Sequence, residues 1–185
     1  PYNVVSGSQP KVSVTFYYDD ESDAGPYPFD VSQSIENGSD AHLLALDSDN
    51  CILYETWDTS YANGNWSAGS GAIFDLNSND LRTLGWTSAD AAGFAIMPGL
   101  VKYEEVKSGV INHAIRFTAS RTDGTYIWPA SHKVSVTGSG YPPMGQRFRL
   151  KANYDISGFS EDAQVILTAA LIQYKTTNIK VPFFS

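Results

Sequence analysis

CILYETWDTSYANGNWSAGSGAIFDL, residues 51–76, decides how this chain folds. At its centre, Asn63-Gly64 is the strongest turn signal in the sequence, because both residues tolerate the positive φ of a two-residue type I′ loop. A strand from Cys51 to Tyr61 enters the turn and a strand beginning at Trp66 leaves it. Such a loop sets Tyr61 directly across from Trp66, with Trp57 and Glu55 on the same face. Asp58, Ser60, Asn65 and Ser67 take the other face. DSDN at 47–50 makes a second turn, with a strand His42–Asp47 before it, and residues 71–76 extend the meander.

Outward from this hairpin, Lys11–Tyr18 is a half-buried strand, since Val12, Val14, Phe16 and Tyr18 alternate with Ser13, Thr15 and Tyr17. An acidic, proline-bearing loop runs from Asp19 to Asp40. Further strands are expected at 110–118, 124–128, 132–137 and 146–154. Ser160 caps a helix whose first turn holds Glu161 and Asp162. Its apolar stripe is Ala163, Ile166, Leu167, Ala170, Leu171 and Tyr174. In TSADAAG, 87–93, Thr87 and Asp90 stand as a capping box for a short helix rich in alanine. Pro98-Gly99 stops it, Val101–Lys107 forms a second helical turn, and Gly109 ends that turn in a left-handed cap. Strand 110–118 then carries Ile111, His113, Ile115 and Phe117 on one face.

Together these elements predict a mainly β fold: an antiparallel β-sandwich, jelly-roll-like, with one amphipathic helix near the C-terminus and a short helical crossover. An α+β roll or a small barrel is the alternative. The 185 residues suit a single β-rich domain, 1–185, with 175–185 an extended strand or tail.

Composition narrows the function. Net charge is −8, which disfavours nucleic acid as a partner. No apolar run is long enough to span a bilayer. Aromatic content of 13% with only 17% charged residues, together with many Ser, Thr, Asn and Gly, fits an extracellular, secreted protein. Asn37-Gly-Ser and Asn65-Trp-Ser are glycosylation sequons. The single cysteine, Cys51, excludes an intramolecular disulfide and has the ordinary role of a small buried hydrophobe beside a turn.

TSADAAG, PGLV (98–101), GVINHAIRF (109–117), WPASH (128–132) and PPMGQRFRLKA (142–152) together resemble a pattern shared by a group of uncharacterised secreted bacterial and fungal proteins. The resemblance spans about residues 43 to 174. It implies that His113, Arg116, Trp128, His132, Arg147 and Arg149 occupy positions of that pattern, and it implies no activity. The chain departs from the pattern after Tyr174, where KTTNIKVPFFS replaces a Tyr-Gly strand and an acidic turn.

Among chemistry-bearing groups, the aromatic hairpin leads. Rings of Trp57, Tyr61 and Trp66 beside Glu55 suit a polysaccharide, whose C–H faces stack on rings while a carboxylate accepts hydroxyl hydrogens. Alternatively, the same rings are cross-strand pairs that cover the core. Arg147 and Arg149 on an expected strand face, with His113, would add binding groups for anionic sugars. A polysaccharide hydrolase or lyase would draw its catalytic groups from His113, Glu55 and Arg149. A third reading is a structural surface protein that self-assembles. No cofactor motif is present, and Asp19, Glu21 and Asp23 would build at most an irregular calcium site. The three histidines, 42, 113 and 132, show no metal-ligand spacing.

Overall fold

Asn63 (φ 53°) and Gly64 (φ 82°) form the two-residue loop, and the strands on either side pair Tyr61 with Trp66. The computed structural model describes residues 1–134 and 138–175. Seven strands are present among them: β1 (Asn3–Val5), β2 (Val14–Phe16), β3 (Leu43–Asp47), β4 (Ile52–Trp57), β5 (Ser60–Ala62), β6 (Asn65–Ala68) and β7 (Ser70–Asp75). They build two sheets, one in the order β1-β3-β4-β7 and one in the order β2-β6-β5. The fold is mainly sheet, as expected, but both sheets are mixed. β1 runs parallel to β3 and β2 parallel to β6, while the remaining pairs are antiparallel.

The expected strand Cys51–Tyr61 is in fact two strands in different sheets. Asp58 takes a left-handed conformation, φ 52°, which no continuing strand allows. Its amide donates to the Asp40 carbonyl at 2.8 Å, and the Thr59 amide to Ala41 at 3.1 Å. The DSDN turn holds as expected. The Asp47 carboxylate accepts the amides of Asp49 and Asn50 together with the Asn50 side chain. Those bonds hold it below the usual carboxylate range, that of the Asn50 side chain foremost and against the effect of burial. Cys51 closes the turn with φ 56° and is exposed, contrary to the buried role expected of it.

One buried cluster takes Leu43, Ala45 and Tyr54 from the first sheet and Val14, Trp66 and Ala68 from the second. Tyr27 bridges them, its ring 5.5 Å from Phe16 and 5.7 Å from Tyr54, and burial pushes its phenol pKa up. The phenol therefore stays a donor, to the Asp23 carbonyl at 2.7 Å. β4 is central in its sheet and is covered on both faces, with Leu53, Tyr54, Glu55 and Thr56 all buried.

The chain divides into two compact units, Pro1–Met97 with Ser120–Gln146, and Pro98–Ala119 with Arg147–Ser185. All seven strands of the described residues lie in the first. The second holds α1 (Tyr103–Ser108), ended by Gly109 at φ 78° as expected, and α2 (Glu161–Lys175). Ser160 begins α2, its carbonyl accepting the Gln164 amide at 2.9 Å and its hydroxyl the Ala163 amide at 3.4 Å. Lys107 of α1 pairs with Asp162 of α2 at 3.0 Å.

Residues 110–118, 124–128 and 146–154 are not strands. Their apolar alternation finds no partner ladder: contacts are single, such as the Tyr126–Met144 bridge and the Phe117–Phe148 ring pair at 5.2 Å. Residues 132–134 are likewise irregular, and 135–137 lie outside the described residues, as does the expected tail past Lys175. The helix expected in TSADAAG is also absent, for a specific reason. The carbonyls of Ala89, Ala91 and Ala92, which a helix would use internally, accept instead from His42, His132 and the Ser131 amide. A 3-10 turn, Met97–Gly99, follows.

Candidate functional site

The break at Asp58 divides the expected aromatic row. Trp66 is 6% exposed and packs into the core, 5.4 Å from Phe29. Tyr61 lies 5.0 Å from Trp66 but at the rim, 46% exposed. Trp57 is half-buried at the end of β4, in the other sheet. Its ring lies on the backbone of Gly69, where any side chain would overlap the indole. Trp57, Tyr61 and Trp66 therefore do not share one face with Glu55.

A different set of rings comes together around Trp57. The amides of Tyr17 and Tyr18 continue the β2–β6 ladder, donating to the Ala68 and Gly69 carbonyls at 3.0 and 2.9 Å. This brings the Tyr18 ring within 6.4 Å of Trp57 at an interplanar angle of 30°. Tyr17 stands edge-on to Tyr18 at 4.8 Å. Tyr17 is 80% exposed and Tyr18 42%. The signal for this surface is the Tyr17-Tyr18 pair itself. Successive residues of an extended strand point to opposite faces, so two adjacent large rings cannot both enter one core.

Glu55 is fully buried and faces away from the cluster shared by the two sheets. Its two carboxylate oxygens accept the backbone amides of Ile96 at 2.7 Å and Met97 at 2.8 Å. It pins the irregular segment before Pro98 to the first sheet. The acidic loop is similarly engaged. Asp23 accepts from the buried Arg82 guanidinium and from the Ile73 amide. Arg82 also donates to the carbonyls of Thr87, at 2.6 Å, and Glu21, at 3.0 Å. Glu21 accepts the Thr87 amide at 3.3 Å and stands 3.5 Å from His132. Among the described residues no group of three or more His, Cys, Asp or Glu is placed to hold a metal ion.

All three histidines share one arrangement, a carboxylate facing one ring nitrogen and a backbone carbonyl facing the other. His42 sits between Glu36 and Ala89, His132 between Glu21 and Ala91, and His113 between Glu105 and Ala114. A base that takes a proton from substrate needs a ring nitrogen directed at that substrate. Here both nitrogens of each ring are directed at the protein's own oxygens.

In the second unit, Glu105 closes the capping box of α1 by accepting the Lys102 amide at 2.9 Å, and it also meets His113 at 3.2 Å. Burial opposes its ionisation, yet these bonds and the nearby cations hold its carboxyl below the usual range. Arg147 and Arg149 are exposed in irregular chain and both have interaction partners. Glu55 belongs to the first unit, His113 and both arginines to the second. Asn37 and Asn65 are exposed. No helix among the described residues is long and apolar enough to cross a membrane.

No family model matches the chain, and neither a curated protein nor a solved structure matches it.

Proposed function

We propose that this chain is a secreted carbohydrate-binding β-sandwich that holds a polysaccharide on the rings of Tyr17, Tyr18 and Trp57. The observation that carries this reading is the open ring surface, with Tyr18 tilted only 30° from Trp57 and Tyr17 80% exposed beside it. Sugar C–H faces stack on rings presented this way, and Trp and Tyr supply wide contact with little side-chain freedom to lose. The sandwich assignment is supported by the single core to which both sheets contribute. Exposure of Asn37 and Asn65 is consistent with glycosylation on a secretory route.

Binding is favoured over hydrolase or lyase chemistry by the state of the candidate catalytic groups. Glu55 is buried with both oxygens bonded to amides, and the His113 nitrogens face Glu105 and Ala114. Retention on insoluble glucan and chitin tests the proposal. Wild type and Trp66→Phe are expected to be retained, whereas Trp57→Ala and Tyr18→Ala are expected to lose about tenfold in affinity, the order of one aromatic contact. Unchanged retention of both alanine variants would contradict it.

A further inference from the structure

Charge is distributed unevenly along this chain. The first unit has four Lys and Arg against fifteen Asp and Glu, a net of −11, while the second has eight against five, a net of +3. Three of the four cations of the first unit are engaged within it. Lys11 donates to the Tyr54 hydroxyl, Arg82 is buried against Asp23, and Arg121 donates to the Tyr141 hydroxyl.

Acidic residues adjoin the aromatic surface along the chain, and the Asp58 side chain and the Trp57 ring both border Gly69. Asp19 and Asp20 follow Tyr18, and Asp58 follows Trp57. Asp40 is tied to Asp58 by a backbone hydrogen bond at 2.8 Å. All four are exposed, and no lysine or arginine of the described residues pairs with any of them. Rings of Tyr and Trp attract a cation through their electron-rich faces, and neighbouring carboxylates add Coulomb attraction for the same cation. For a polyanion such as a polyuronate, the rings stack as on any sugar but the carboxylates repel, so the net interaction is weaker.

Resting on the carbohydrate reading above, we infer that the ligand class is a cationic amino-sugar polymer, a chain of glucosamine units with free, protonated amines. The glucosamine rings stack on Tyr17, Tyr18 and Trp57 while their ammonium groups face Asp19, Asp20, Asp40 and Asp58. The carboxylates thus determine specificity and the rings supply general sugar affinity. Because the carboxylates are exposed, added salt weakens the discrimination.

Calorimetric titration of the full chain with three oligomers of equal length tests this at a pH where free amines are protonated. The oligomers are glucosamine, N-acetylglucosamine and galacturonate. The glucosamine oligomer is expected to bind tightest, with its advantage falling as salt rises. Asp40→Asn and Asp58→Asn are each expected to weaken it by about two- to fivefold, the range for exposed charge pairs, and to leave the N-acetylated oligomer unchanged. Asparagine suits position 58 because it tolerates the left-handed φ found there. Equal binding of free and acetylated oligomers would overturn the inference and leave the carbohydrate reading intact. Preference for galacturonate would also overturn the inference alone. Absence of binding by wild type to any sugar would overturn both.

Discussion

Trp57 and Trp66 flank the same turn and have opposite fates. Trp66 stands opposite Val14 in β6, the central strand of its sheet, and its indole enters the core. Trp57 ends β4 beside a left-handed Asp58 and lies over a glycine, so its ring covers backbone at the edge of the core. Trp66→Ala is therefore expected to cost about 3–5 kcal/mol of stability in urea unfolding. A loss below about 1 kcal/mol would show that the ring is not a core member. Glu55 is a second residue whose environment sets its role. Its side chain is fully buried and both its oxygens accept backbone amides, so Glu55→Gln keeps the shape but offers an amide donor where an acceptor is required. The expected loss is about 1–3 kcal/mol by the same measurement, the cost of leaving a buried hydrogen-bonding group unsatisfied. A stable Glu55→Gln protein with altered sugar retention would place Glu55 in the binding surface instead.

At the scale of elements, the irregular segment 87–97 shows how tertiary bonds displace a local preference. Its alanines favour a helix, but His42, His132 and Ser131 take the carbonyls that the helix would need. His42 in turn is held by Glu36. Burial works against ionisation of Glu36, yet the bonds from the His42 ring and amide outweigh it and hold the carboxyl below its ordinary range. A carboxyl whose folded value is depressed stabilises the fold fully above the unfolded value, about 4.3. That contribution is lost as pH falls through the depressed value. Thermal melts from about pH 7 to pH 3 are expected to show a shallower acid limb for Glu36→Gln than for wild type. Superimposable limbs would contradict this linkage. The same element-level logic separates what could be read in the sequence from what could not. The Asn63-Gly64 turn, the Asp47 turn, the Gly109 cap and the helix after Ser160 are set by neighbouring residues, and each stands where it is expected. The break at Asp58 is not signalled by its neighbours, because it is made by amides reaching Asp40 and Ala41. Alternation at 110–118 and 146–154 is a necessary property of a strand and not a sufficient one. Without a partner edge, Phe117 and Phe148 meet only as rings.

At the scale of the whole molecule, the mainly β class was readable from alternation, while the parallel pairing of β1 with β3 and of β2 with β6 was not. Side-chain period is the same in parallel and antiparallel strands, and β1 is only three residues long. Of the proposed ring surface, only Trp57 belongs to the row expected from the sequence; its neighbours Tyr17 and Tyr18 come from a distant strand, and Trp66 turns inward with the second sheet. The division of charge between the two units is invisible in the overall net charge of −8, since it depends on which segments fold together. On the proposed ring surface Trp57, and not Trp66, meets the ligand. The four tryptophans each carry one indole N–H, so a proton–nitrogen NMR titration with a glucosamine oligomer reads them separately in one experiment. The Trp57 indole resonance is expected to shift with saturation while those of Trp66, Trp86 and Trp128 stay in place. A titration in which Trp57 does not move, or in which Trp128 alone responds, would contradict it.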